Sequence, residues 1–163
     1  MAGCNKTQLY LTTIAVTVII LTASQAAEAR FKNLCSQTAY PALCHPLVKG
    51  PNPRRATHST IRALEAKTKL TLADASRHRF ANPQAAVCCA TLADAAFNLE
   101  NARKSIRQRN KLALKMFLTA AVSDYGVCVD GFIETRQVNA VQNAVDELRK
   151  MGTNCLMLAQ LLR

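Results

Sequence analysis

From residue 54 onward, apolar positions recur every three or four residues and almost nothing alternates with a period of two, a pattern that predicts helices rather than strands. Four stretches carry it. The first, over 54–79, runs through Ile61, Leu64, Thr68, Leu72 and Ala75. The second, over 83–108, follows Ala85, Cys89, Leu92, Ala96, Leu99 and Ile106, and Asn82-Pro83 supplies its start. The third, over 111–132, follows Leu114, Leu118, Ala121, Tyr125, Cys128 and Phe132. The last, over 136–162, follows Val138, Val141, Val145, Leu148, Gly152, Cys155 and Leu162. Each stripe reads as a core face. Four amphipathic helices joined by short links predict an all-α, antiparallel four-helix bundle over 54–163.

Ahead of the bundle, residues 30–50 hold Cys35 and Cys44 with Tyr40-Pro41 between them, which predicts two short helical turns folded back into a hairpin. Further upstream, one cation, Lys6, precedes an apolar run from Leu9 to Leu21. That run is about thirteen residues, against the ~20 a membrane span needs. Small residues follow, and Ala27-Glu28-Ala29 offers a cleavage site before Arg30. Residues 1–29 therefore read as a secretory signal peptide, and 30–163 as one exported domain.

Removing the leader takes away Cys4 and leaves Cys35, Cys44, Cys88, Cys89, Cys128 and Cys155, which in an oxidising compartment read as a disulfide framework. Counting cannot pair them, but helical phase narrows the choice. Cys89 and Cys128 lie on the inward stripes of consecutive helices, while Cys88 sits about 100° off its stripe, so a Cys89 to Cys128 staple is inferred. Its loop of about forty residues corresponds to about 4 kcal/mol of stabilisation on the chain-entropy model. A Cys35 to Cys44 bond locks the hairpin and contributes about 3 kcal/mol. Cys155 also faces inward, either as an inert buried thiol or as a rival partner, and phase does not decide between them.

The chain carries a formal +11, and losing Lys6 and Glu28 with the leader leaves that balance unchanged. A basic chain without tryptophan and with few aromatics lacks stacking platforms for bases, which argues against nucleic acid. Arg103, Lys104, Arg107, Arg109, Lys111 and Lys115 crowd one bundle tip, which as a solvated surface needs no function. Catalytic material is poor. His45, His58 and His78 have no clear relation to an activated nucleophile. Cys-x-x-Cys and His-x-x-x-His spacings for zinc are missing, and Gly126, Gly131 and Gly152 are isolated helix glycines rather than a phosphate loop. The reading is a non-enzyme with no metal and no cofactor. A basic lipid-binding or membrane-active defence protein is the less favoured alternative, because the eight-cysteine pattern with Cys-x-Cys is missing.

Several segments resemble a known family. Cys35, Thr38, Tyr40-Pro41, Cys44 and Leu47 are similar to the opening signature of the plant invertase and pectin methylesterase inhibitors. Cys89, Leu92, Ala95 and Leu99 follow that family's spacing on its second bundle helix. The stretch from Phe117 to Ser123 resembles its aromatic-Leu-Ser-Ala-Ala-Leu-Thr segment, and Cys128-Val129-Asp130-Gly131-Phe132 its Cys-x-Asp-Gly-Phe end. Thr153-Asn154-Cys155-Leu156 is similar to its closing Ser-Asn-Ala-Leu motif. The resemblance implies a helical hairpin on a four-helix bundle, with Cys35 paired to Cys44 and Cys89 to Cys128. Cys88, at a position usually acidic, and Cys155 are extra to the usual four. They leave open a third bond, an intermolecular bond or two free thiols.

The family has two target classes. Relatives that block invertase commonly carry Pro-Lys-Phe at the tip leading into the last helix, where this chain has Glu134-Thr135-Arg136-Gln137-Val138, and the ending around Asn154 looks more like the esterase inhibitors. The resemblance therefore implies a secreted, apoplastic inhibitor of pectin methylesterase that occludes the enzyme's substrate cleft reversibly, with invertase as the alternative target. A solvated basic surface is the favoured reading of the excess charge, with electrostatic association with a cell-wall polyanion such as pectin as the alternative; no membrane partner is implied for the mature form. The sequence names no target contacts.

Overall fold

The computed structural model describes residues 12–19, 34–136 and 140–162. In the stretch 1–29 that the sequence reads as a signal peptide, 12–19 form a helical run with every residue exposed; the rest of it, including the expected Ala27-Glu28-Ala29 cleavage site, lies outside the described residues. Beyond 12–19, the described residues hold a helical turn at 34–36, a short helix α1 (Pro41–Cys44) and four long ones, α2 (Pro53–His78), α3 (Pro83–Arg107), α4 (Lys111–Glu134) and α5 (Ala140–Gln160), with no strand among the described residues.

Three of the long helices begin in the same way. Asn52, Asn82 and Asn110 are extended caps whose side-chain oxygens accept from Arg54 N, from Gln84 N and Ala85 N, and from Ala113 N. Proline follows at the first helical position of α2 and α3, where no amide donor is needed. The ends are as local. Past α3, Arg109 takes a left-handed φ of 60°, and its amide and that of Asn110 bond back to Ile106 and Ser105. Arg136 does the same past α4 with φ 55°. A residue in that conformation cannot open a helix, so the last helix does not begin at 136 as the spacing predicts.

The helices close a ring: α2 packs on α3, α3 on α4, α4 on α5 and α5 back on α2. The core is built from Ile61, Leu64, Leu92, Leu99, Leu114, Leu118, Tyr125, Phe132, Val145 and Leu148, all essentially inaccessible. Threonines take much of the inner stripe of α2 because their hydroxyls can be satisfied locally. Thr57, Thr60 and Thr71 donate to the carbonyls of Pro53, Ala56 and Lys67 at 2.8, 2.9 and 3.0 Å. Thr68 instead shares a 2.6 Å bond with the hydroxyl of Tyr125, and burial holds that phenol well above the ordinary tyrosine range. Gly152 lets α5 approach α4, since a Cβ there would lie 2.8 Å from Val122 Cγ2.

The hairpin covers one end of the ring. Cys35 is bonded to Cys44 with Cα atoms 5.5 Å apart, and Leu34, Cys35, Cys44, Ala56 and Leu158 form a second small apolar cluster. The fully buried amide of Asn154 on α5 holds the hairpin by both its ends, accepting from Tyr40 N at 2.9 Å and donating to Tyr40 O at 2.7 Å. Ser59 ties down the link to α2, accepting from Lys49 N and donating to Leu47 O.

The second disulfide corrects the phase reading. Cys88, not Cys89, is joined to Cys128, with Cα atoms 4.8 Å apart. The buried stripe of α3 is Ala85, Cys88, Leu92, Ala95, Leu99, Ala102 and Ile106, an unbroken three-four alternation that faces α4. Cys89 is turned about 100° further round the helix. It is half-buried, its sulfur 3.9 Å from Ser76 Oγ of α2. Cys155 is fully buried, with its sulfur 3.8 Å from Thr57 O and its thiol pushed far up by desolvation. Ser76 and Thr57 lie nineteen positions apart on one straight helix, roughly 28 Å, so the two free thiols cannot form a third internal bond.

Candidate functional site

The three histidines do not come together: His45 follows α1, His58 is one turn into α2 and His78 ends it. Among the described residues no group of three His, Cys, Asp or Glu is placed to hold a metal ion. Two surfaces of the molecule stand out.

The first is the outward face of α3 and α4. Between residues 83 and 102 of α3, and again between 116 and 134 of α4, there is no lysine or arginine, although the chain carries +11; the acidic residues there are Asp94, Glu100, Asp124, Asp130 and Glu134. Beside those acids, the outward positions include small or apolar ones: Ala90, Ala93 and Phe97 on α3, and Leu112, Met116, Thr119, Ser123 and Val127 on α4, all exposed. Phe97 is 65% accessible and Met116 64%, unusual for side chains of their size. The helix α4 is long and apolar enough by composition to cross a membrane, yet one side of it is core and the other is this face. Where the two helices meet, Asn98 donates to Asp124 at 2.8 Å, and burial raises the pKa of that carboxyl against the lowering effect of the bond. The staple from Cys88 to Cys128 joins the same two helices further along, locking them to one another.

The second surface is the end where α2 starts and α3 stops. Arg54 reaches across and donates to the carbonyls of Ile106 and Arg107, capping the last turn of α3. Lys49, Arg55, His58, Arg62 and Arg107 line an open groove of about 520 Å³ beside it. Glu65, the neighbouring acid, is engaged by Arg103 Nε at 2.7 Å. The pKa of His58 is lowered, first by burial and then by Arg107, Arg62 and Arg103, with Glu65 opposing weakly. The crowding of Arg103, Lys104, Arg107, Arg109, Lys111 and Lys115 was legible in the sequence. The α2 side of this surface was not, because only the packing of α2 on α3 brings Arg55, His58 and Arg62 to it. The signal available was their spacing of three and four residues on one helix face.

A model of the plant invertase/pectin methylesterase inhibitor family matches residues 29–158. The chain belongs to this family. Its members are inhibitors rather than enzymes. The fold agrees: a mutant form of a pectin methylesterase inhibitor from Arabidopsis superposes with a TM-score of 0.71 over 79% of this chain and 94% of that one, at 19% identity. A second structure, a pectin methylesterase inhibitor from Arabidopsis thaliana, gives 0.65 over 83% and 97%, at 18% identity. No curated protein matches the chain in sequence. The Asn154 motif has a structural role, holding the hairpin.

Proposed function

We propose that this protein is a secreted inhibitor of pectin methylesterase that docks the outward face of α3 and α4 across the enzyme's substrate cleft. The observation that carries the choice of target is the tip at Glu134-Thr135-Arg136-Gln137-Val138, which lacks the Pro-Lys-Phe triplet of invertase-directed relatives; residues 137–139 themselves lie outside the described residues. Asn154 has less weight here than its motif suggested, because both ends of its amide are spent on Tyr40.

The face suits the role by size and chemistry. Two adjacent helices of 24 and 25 residues present a strip about 36 Å long and about 20 Å wide, on the order of 700 Å², close to the roughly 800 Å² that each partner buries in a standard interface. Apolar positions with a large aromatic and a methionine supply the kind of centre that such interfaces use. Docking a preformed, stapled helix pair loses little conformational entropy, and no covalent step is required. The leader over 1–29 and the two disulfides support export to the apoplast.

The test is a titration of the mature protein against a plant pectin methylesterase and an acid invertase, reading methylester and sucrose hydrolysis. Stoichiometric, reversible loss of esterase activity with invertase untouched is expected. Invertase inhibition with the esterase untouched would transfer the function to the alternative target.

A further inference from the structure

We infer that the groove between the start of α2 and the end of α3 is a second binding site, for the carboxylates of a polyuronate chain. Its cations are Lys49, Arg55, Arg62 and Arg107, with His58 between them and Arg54 behind, spent on capping α3. Among the described residues none of those four cations has a carboxylate within 4 Å, and Glu65 is taken by Arg103. Arg55, His58 and Arg62 follow one another at three and four residues along one side of α2, so the positive groups form a row about 10 Å long rather than a closed cup. A row fits an extended polymer that carries one carboxylate per sugar better than a single compact anion. Arginine forks match planar carboxylates, two N–H groups to two oxygens. The groove is lined by no Phe, Tyr or Trp ring for a base to stack on, and its one imidazole, His58, sits among the cations. Burial is the first cause of the lowered pKa of His58; Arg107, Arg62 and Arg103 lower it further, and only Glu65 opposes them.

The choice of polyuronate over other polyanions rests on the proposed function, since a pectin methylesterase leaves free carboxylates along its polymer. The groove itself does not, and it lies away from the middle of the α3–α4 face. An inhibitor holding the demethylated polymer at one end and the esterase on its side would be concentrated where the enzyme has worked.

The experiment measures binding of a defined galacturonate oligomer to the mature protein at low and physiological salt. Two triple variants are compared. One is Arg55→Ser/Arg62→Ser/Arg107→Ser. The other, Arg77→Ser/Arg79→Ser/Arg136→Ser, removes the same charge at the opposite end. The groove variant is expected to bind about tenfold more weakly, and the control to stay within about threefold of the wild type. Bound oligomer should also raise the pKa of His58, followed by its ring resonances, because added carboxylates offset Arg107, Arg62, Arg103, Arg55 and Lys49. Equal losses in the two variants would reduce the effect to net charge and overturn the site. So would a His58 titration that does not move, or equal binding of the fully methyl-esterified oligomer. Esterase inhibition is read in parallel: binding at the groove by a protein that inhibits no esterase would sink the proposed function and leave the site standing.

Discussion

The outer face of α3 and α4 and the basic end of the bundle are built from opposite materials. The face has no cation over most of its length, is small-residue and apolar, and sits on a disulfide. The end collects arginines and lysines from four separate segments and is held by caps, a buried amide and the hairpin. A net charge of +11 suggests that any basic partner is repelled. The segregation removes that difficulty: at ordinary salt, interactions between exposed charges are screened beyond about 10 Å, so a partner docked on the face feels mainly the face. One small domain can therefore present a neutral-to-acidic surface to an enzyme and a positive one to a polymer.

The largest expected effect breaks the face. Cys88→Ser opens the staple between α3 and α4 and should cost about 4 kcal/mol, whereas Cys89→Ser, which removes only a half-buried thiol, should cost well under 1 kcal/mol. Denaturant midpoints decide it, with peptide mapping of the unreduced protein to show that Cys128 has not re-paired with Cys89. Similar losses in the two variants would restore Cys89 to the bond.

Next in size, Asn154→Ala should loosen the basic end. It strips both partners from the backbone of Tyr40 and should cost about 2 kcal/mol, with proteolysis near the hairpin accelerated. Esterase inhibition should survive, since the face is untouched. Loss of inhibition in a variant that remains folded would couple the two regions.

The smallest effect is electrostatic. The folded pKa of His58 lies below its unfolded value, so the native state takes up that proton less readily. Stability is therefore fully present above about pH 6.5 and falls as pH drops through the unfolded pKa toward the lower folded one. His58→Gln should flatten this decline in a pH series of melting temperatures. Bound polyuronate should flatten it too, which links this measurement to the groove.

The four helices, their order and the Asn82-Pro83 start were legible because periodicity and caps are local. The hairpin cysteines were legible because Tyr40-Pro41 forces a reversal between them. The staple was misread for a physical reason: around Cys88 and Cys89 the helix carries alanine, valine or cysteine on neighbouring sides, so Ala85-Cys89-Leu92-Ala96-Leu99 and Ala85-Cys88-Leu92-Ala95-Leu99 both satisfy three-four spacing. Only the continuation through Ala102 to Ile106 favours the second. The resemblance pointed the same wrong way, placing the bonded cysteine one position late. The docking face was hidden for the opposite reason: it is marked by a lack of basic residues on two helices, visible only once they are known to be neighbours.

The most direct test of the account is the inhibition constant of Phe97→Asp against a pectin methylesterase that the wild type inhibits, measured beside Arg55→Ser/Arg62→Ser/Arg107→Ser. Phe97 is exposed, so both proteins should melt like the wild type. The account predicts inhibition weakened about tenfold or more by Phe97→Asp and little changed by the groove variant. Unchanged inhibition by Phe97→Asp with a large loss in the groove variant would contradict it and move the enzyme to the basic end.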